Sequence, residues 1–124
     1  MDTTDNKFLI FLKDIKERPG LYLGQPSLEL LHAFLNGYSA CRTVYQVMAS
    51  PEERHFFSDF SKFVCDYFDV QYQFKTDDPW VRVIRLFSST DRRAFYAFFD
   101  LLDLFIAGKQ VGDSPICFDD DDLG

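Results

Sequence analysis

Apolar side chains recur every three or four residues along most of the chain, which is the period of an α-helix with one buried face. Residues 5–17 and 28–48 show this period first, and in the second stretch it runs as far as Tyr45 and Met48. Ser27, directly before the second stretch, is a natural N-cap. Both stretches are therefore predicted helices. The apolar stripe of the first one consists of Phe8, Phe11, Leu12 and Ile15.

Three further helices are predicted from sequences that favour helix starts. Ser50, followed by a proline and by Glu53 three positions later, is typical of a helix N-terminus. Residues 78–80, Asp-Pro-Trp, are predicted to begin a fourth, shorter helix. Ser88 is the predicted N-cap of a fifth helix, and Gly108 is its predicted C-terminal stop.

One segment, VQYQF at residues 70–74, alternates apolar and polar positions as a strand does. Because no second strand is evident, we interpret it as an extended connection or a last helical turn. The predicted fold is all-α, a compact bundle of five to six helices in residues 1–112, with an acidic C-terminal tail in residues 113–124. The alternative is an α+β fold with one small hairpin near residues 70–74.

The stretch RPGLYLG, residues 18–24, joins the first two predicted helices. Pro19 disfavours helical geometry at the preceding residue, so the first helix should end near Glu17. Gly20 and Gly24 permit backbone angles that other residues avoid. The stretch therefore predicts a fixed corner between two helices. Its apolar side chains are expected to pack, with Leu21 and Leu23 inward and Tyr22 against the surface.

Charge is distributed unevenly over the 124 residues. Thirteen basic and twenty acidic side chains give a net charge of −7, all of it carried by residues 49–124. An acidic surface repels nucleic acid and anionic lipid and attracts basic partners. We therefore expect a basic protein partner, and no direct contact with nucleic acid or a membrane. The predicted partner-binding residues are Asp77, Asp78, Asp100, Asp103, Asp119, Asp120, Asp121 and Asp122, with Tyr22 as an aromatic anchor; for Asp119–Asp122 a purely solubilising tail is the alternative.

Enzymatic chemistry has little support in the sequence. The two histidines, His32 and His55, are not near a nucleophile signature, and the aspartate run lacks the spacing of a calcium loop. We therefore predict a protein that is not an enzyme and that binds no metal or cofactor. Four arginines near the start of the last helix are expected either to pair with internal acids or to take a phosphate: Arg82, Arg85, Arg92 and Arg93.

The cysteines and the N-terminus predict a cytoplasmic protein. Cys41, Cys65 and Cys117 are odd in number, lack metal-binding spacing, and are expected to be small buried hydrophobic side chains. The acidic first residues do not resemble a signal peptide, and no apolar run approaches the length of a membrane span.

Residues 15–24, IKERPGLYLG, resemble a short stretch of the ATPase subunits of type II topoisomerases. Those enzymes also need a Glu and an Asn one turn apart on the following helix, and an Asp-x-Gly-x-Gly motif. Asn36 is present here, but no acidic residue lies one turn before it and the glycine motif is absent. We therefore interpret this similarity as structural, and a nucleotide-binding module built on the loop remains an alternative.

A longer resemblance covers most of the chain and is carried by Arg18–Gly24, Ser27, Leu28, Leu31, Phe34, Leu35, Gly37, Tyr38, Trp80 and the segment 94–105. In these residues the chain resembles small bacterial immunity proteins of contact-dependent inhibition and other polymorphic toxin systems. The resemblance implies a protein that binds and neutralises a cognate toxin, here expected to be a basic nuclease domain, by occluding its active or substrate-binding site. An acidic adaptor or nucleic-acid mimic is the alternative.

Overall fold

Six helices build the protein in a computed structural model that describes residues 7–108 and 116–119. The all-α prediction is confirmed, since these residues contain helices and no strand. The hairpin alternative near residues 70–74 is wrong, because residues 70–72 form the last turn of a helix that ends in a left-handed residue, Gln73. The helices are α1 (Lys7–Glu17), α2 (Pro19–Leu23), α3 (Leu28–Val44), α4 (Pro51–Tyr72), α5 (Trp80–Phe87) and α6 (Asp91–Ala107).

The core is largely aromatic and is centred on α4 and α6. Phe60 of α4 lies 5.4 Å from Phe98 of α6, measured between ring centroids, and the Trp80 ring of α5 lies 4.9 Å from Phe98. Edge-to-face and tilted pairs of this kind add to the stabilisation from apolar burial. Nine residues of α6 are buried, so this helix is the most enclosed element of the described structure.

Local capping follows the sequence at three helix ends. The Ser27 hydroxyl accepts a hydrogen bond from the Leu30 N–H at 3.1 Å, and the Ser50 hydroxyl accepts one from the Glu53 N–H at 3.2 Å. Gly108 ends α6 in the left-handed conformation with φ +67°. These predictions are confirmed because a cap depends on residues within one helical turn of it.

The start of α6 differs from the prediction. Thr90, and not Ser88, is the N-cap, and its hydroxyl accepts a hydrogen bond from the Arg93 N–H at 3.0 Å. The Ser88 hydroxyl instead donates to the Ile84 carbonyl at 2.7 Å, at the end of the preceding helix. The Asp91 carboxylate reaches across to the start of α3, where it accepts the hydroxyl of the capping serine.

The RPGLYLG stretch forms a corner, but by closing into a short helix, α2. Gly24 alone of its two glycines has a positive φ, +88°, while Gly20 lies within the helix. The expectation that Leu21 turns inward is wrong, since this side chain is 69% exposed, whereas Leu23 packs against the core. The helical turn points Leu21 away from the bundle because α1 and α3 occupy only one side of it.

The second predicted helix ends four residues early, at Val44. Gln46 adopts a left-handed backbone conformation with φ +55°, which stops the helix before its apolar stripe is complete. Tyr45 and Met48, expected on the inward stripe, are therefore 73% and 85% exposed. The prediction of buried cysteines is also wrong, because Cys41 at this end of α3 is exposed.

The segment 116–119 packs against the bundle. The Phe118 ring is buried 5.3 Å from the Phe68 ring of α4. The Ile116 N–H donates to the Tyr67 hydroxyl at 2.9 Å, and the Phe118 carbonyl accepts the Ser89 N–H at 2.9 Å. No helix in the described residues is long and apolar enough to cross a bilayer.

Candidate functional site

Asp77 and Asp78 lie in the connection between α4 and α5, beside the middle of α4. The Cys65 thiol of α4 donates to the Asp78 carbonyl at 3.4 Å. Burial, followed by the negative charges of Asp66, Asp77 and Asp78, raises the pKa of the Cys65 thiol. Neither the Asp77 nor the Asp78 carboxylate forms an ion pair with a described residue. The connection therefore presents two carboxylates without an ion-pair partner among the described residues.

Asp78 also lines a groove of about 530 Å³ between α3 and α5. Glu29 and His32 form its α3 side, and the exposed Leu86 contributes to its apolar wall on α5. The His32 and Trp80 rings form an edge-to-face pair with 5.5 Å between their centroids, and this contact joins α3 to the start of α5 beside the groove. A groove of this volume with an apolar wall and a few charged groups can receive a side chain or a short segment of a partner. Its remaining lining residues are Phe74, Val81, Arg82, Val83 and Arg85.

Asp100 has a structural partner. It lies 3.3 Å from the guanidinium of Arg93, whose side chain is only 8% exposed. Burial raises the pKa of Asp100, and the positive charges of Arg93 and Lys16 act in the opposite direction. Because the Arg93 charge is buried, removing its carboxylate partner would leave that charge uncompensated. Asp100 is therefore part of the folded framework.

Asp103 is exposed on the same helix and lines a small groove of about 190 Å³ between α1 and α6. Lys13 and Lys16 of α1 line the same groove. These lysines partly offset the negative field of Asp103, so the α1–α6 side is less acidic than the count of its aspartates suggests.

The two predicted acidic pairs lie on different elements, Asp77 and Asp78 in the α4–α5 connection and Asp100 and Asp103 on α6. Asp77 and Asp78 act on Cys65 of α4, whereas Asp100 acts on Tyr67, two residues further along the same helix. Two residues correspond to a rotation of about 200° around a helix axis, so these side chains face nearly opposite directions. The charges of Asp77 and Asp78 are therefore felt on one side of α4, and the charge of Asp100 is felt on the other.

Tyr22 is held inside its own corner. Its hydroxyl donates a hydrogen bond to the Asp14 carboxylate of α1, and this bond raises the pKa of Tyr22. The edge of its ring packs against Phe11 at 5.5 Å and against Phe34 at 6.3 Å. The ring is thus a partly buried packing element of this corner.

The predicted acidic run enters the described structure only through Asp119, which is exposed; Asp120, Asp121 and Asp122 lie outside the described residues. Asp119 lines a groove of about 400 Å³ together with Tyr72, Phe87 and Phe118. Sequence reasoning missed the apolar anchor that precedes it, although the ICF sequence at 116–118 is the signal that could have revealed it.

The four arginines do not form one cluster. Arg93 is buried against Asp100, as the internal pairing alternative expected, and Arg92 lies over the Tyr96 ring at 5.7 Å. Arg85 donates to the Ser88 carbonyl at 3.2 Å. Arg82 is the exposed arginine of the α3–α5 groove.

Neither a search for metal-binding groups nor a comparison with known proteins adds a candidate function for this chain. Within residues 7–108 and 116–119, no group of three or more metal-binding side chains is placed to hold an ion. Comparison with protein-family profiles, with curated proteins and with solved structures finds no match to this chain.

Proposed function

We propose that this protein is an immunity protein, a binding protein rather than an enzyme, which neutralises a cognate toxin by covering its active or substrate-binding site. The expected toxin is a nuclease domain with a basic surface. The resemblance of the chain to immunity proteins supports the proposal, and so does its net charge of −7. The observation that carries it is the unpaired Asp77–Asp78 connection beside the α3–α5 groove.

Unpaired carboxylates suit the capture of a nuclease. Enzymes that hold phosphate present basic side chains to it, and Asp77 and Asp78 offer negative charge of the opposite sign. Complementary charge raises the association rate before any contact forms. Since neither carboxylate is in an ion pair with a described residue, no internal ion pair has to break when a basic partner arrives.

The groove supplies the selectivity that charge alone lacks. Its walls carry acidic groups, Glu29 and Asp78, together with basic groups, Arg82 and Arg85. A partner with only positive charge would be repelled by Arg82 and Arg85. A partner that matches both signs and inserts an apolar side chain against Leu86 would bind well. The mixed groove therefore favours one cognate partner over basic proteins in general.

The proposal predicts a toxin-domain gene directly upstream of this one, and the test uses the protein that this gene encodes, purified in an inactive form. The double variant Asp77→Asn/Asp78→Asn should associate with it about tenfold more slowly at low salt, and the difference should shrink at high salt. Stopped-flow or biolayer interferometry measures both rates, and growth of toxin-expressing cells measures protection. Asp100 is kept unchanged because it holds the buried Arg93.

The matched control is Glu17→Gln/Asp59→Asn, which removes the same charge from two exposed acids on α1 and α4. We expect its association rate to stay within about twofold of the parent. Equal slowing of both variants would show that only net charge matters, which is the behaviour of an acidic adaptor. Absence of any complex with the upstream protein would refute the proposed function.

A further inference from the structure

The turn after α3 and the neighbouring start of α4 expose five large apolar side chains. We call this set the apolar corner: Val44, Tyr45, Val47 and Met48, which are 72%, 73%, 56% and 85% exposed, and Phe57 of α4, which is 42% exposed. Val47 and Phe57 line the same shallow groove, which connects the turn to α4.

A charged network holds the apolar corner in one conformation. The Arg42 guanidinium donates to the Met48 carbonyl at 2.8 Å, and its Nε lies 2.5 Å from the carboxylate of Glu53, which is 2% exposed. The Tyr38 hydroxyl donates to the same carboxylate at 3.2 Å and accepts from Arg42 at 3.1 Å. An apolar surface fixed in this way loses little conformational entropy when a partner covers it.

The size of the apolar corner suits a small interface. At the exposed fractions above, its side chains present roughly 500–600 Å², at the upper end of what a monomer leaves uncovered. Two copies facing each other would bury about 1,000–1,200 Å² in total, near the lower limit of specific protein interfaces. The surface is therefore large enough for a reversible dimer and small for a permanent one.

Charge indicates which partner fits. Residues 39–58 contain two arginines and two glutamates, so the apolar corner and its rim are neutral in a chain of net charge −7. A basic toxin gains no electrostatic attraction here, because the unpaired acids lie in the α4–α5 connection. Two acidic copies that approach through their neutral corners avoid placing acid against acid. A neutral, apolar surface is also self-complementary under two-fold symmetry.

We propose that a second copy of this chain docks on the apolar corner, forming a reversible two-fold dimer. Val44 and Met48 of each copy lie at its centre, and Tyr45 packs across it. The α3–α5 groove includes Glu29 and His32 at the other end of α3, a helix of 17 residues that spans about 25 Å. Dimerisation therefore leaves that groove accessible, and the dimer does not depend on the proposed function.

The test is sedimentation velocity of the full chain over a range of concentrations. The parent should show a monomer–dimer equilibrium, and Met48→Asp should weaken dimerisation at least about tenfold, because it places a charge at the centre of an apolar interface. Leu21→Asp is the matched control, since Leu21 is 69% exposed and precedes the opposite end of α3. It should dimerise as the parent does. Circular dichroism confirms that both variants are folded, as expected for exposed positions.

Cys41 provides an independent measurement. It precedes Val44 and Tyr45 by three and four residues, so these side chains share one face of α3. In a Cys65→Ser/Cys117→Ser background, a short bis-maleimide should link two chains through Cys41, and Met48→Asp should abolish the link. A chain that stays monomeric at every concentration would overturn the proposal. So would a dimer that survives Met48→Asp, or one that Leu21→Asp disrupts equally. If Met48→Asp instead weakens toxin binding by a monomer, the corner belongs to the toxin interface.

Discussion

The two corners at the ends of α3 perform the same task, turning the chain between helices, but they do so with opposite surfaces. The opening corner, Arg18–Gly24, turns its aromatic ring onto α1 and α3 and bonds the Tyr22 hydroxyl to Asp14. The apolar corner leaves Tyr45 and Met48 in solvent and keeps its polar groups, Arg42 and Glu53, underneath. The first corner packs its aromatic ring against two neighbouring helices, whereas the second leaves its aromatic ring exposed.

This contrast separates residues that serve the fold from residues available for contact. Tyr22 has neighbours and a hydrogen-bond partner within the chain, so the fold alone accounts for its place. Tyr45 and Met48 are exposed and do not belong to the core, while the ion pair between Arg42 and Glu53 beneath them keeps the turn ordered. Large apolar side chains that are ordered and uncovered are characteristic of binding surfaces.

The largest effect is expected beneath the apolar corner. Glu53→Gln keeps the size of the side chain but removes the charge that balances Arg42, and Glu53 is only 2% exposed. Breaking one side of a buried ion pair is strongly destabilising, and partial exposure of Arg42 moderates the loss to about 2–3 kcal/mol. Urea denaturation followed by circular dichroism measures the free energy of unfolding.

The control for this variant is Asp59→Asn, which breaks the exposed pair with His55. Its expected loss is within about 0.5 kcal/mol, because exposed ion pairs contribute little. If both substitutions destabilise by the same small amount, the network does not support the turn. The apolar corner would then lack the order that the dimer proposal requires.

An intermediate effect is expected in the opening corner. Gly24 has φ +88°, and a Cβ built on it meets no atom within 4 Å, so Gly24→Ala incurs backbone strain alone, about 1–2 kcal/mol. Gly20 lies in α2 without a positive φ and has equally open space. Gly20→Ala should therefore leave stability unchanged or raise it by up to about 1 kcal/mol. Unfolding curves that show equal losses would contradict the assignment of Gly20 to a helix.

The sequence predicted the parts of the fold that depend on neighbours along the chain. Ser27, Ser50 and Gly108 cap helices because each cap bonds to backbone within one turn. Ser88 failed as an N-cap although its residue type was suitable, since its hydroxyl bonds to the previous helix. Two suitable residues, Ser88 and Thr90, lie close together, and only packing of α5 decides between them.

The sequence predicted the candidate site less well, because the exposure of a side chain depends on helices that are far away along the chain. The period of α3 places Tyr45 and Met48 on its apolar stripe, yet no helix of residues 7–108 covers that end. The count of aspartates likewise placed Asp100 and Asp77 in one group. Asp100 forms an ion pair with the buried Arg93, whereas Asp77 forms no ion pair with a described residue. Whether a charge is paired is a tertiary property that periodicity and composition do not contain.

The smallest expected effect is a pH-dependent change in stability that distinguishes Tyr22 from Tyr45. The pKa of Tyr22 is raised by its hydrogen bond to Asp14, with a further contribution from burial. A raised pKa means that the folded state favours the protonated hydroxyl. The stabilisation is therefore complete below the unfolded pKa of about 10 and is lost as the pH rises through the higher folded value. Tyr22→Phe should lower the urea midpoint at neutral pH, and the difference from the parent should close at alkaline pH.

Tyr45→Phe is the matched control, because the Tyr45 hydroxyl has no hydrogen-bond partner among the described residues and its ring is 73% exposed. Its urea midpoint should equal that of the parent at both neutral and alkaline pH. The same hydroxyl deletion then has a pH-dependent effect in one corner and none in the other. Equal effects of the two substitutions would mean that Tyr22 is as free as Tyr45. Tyr22 would in that case return as an aromatic anchor for the toxin, with its ring and hydroxyl both available to a partner.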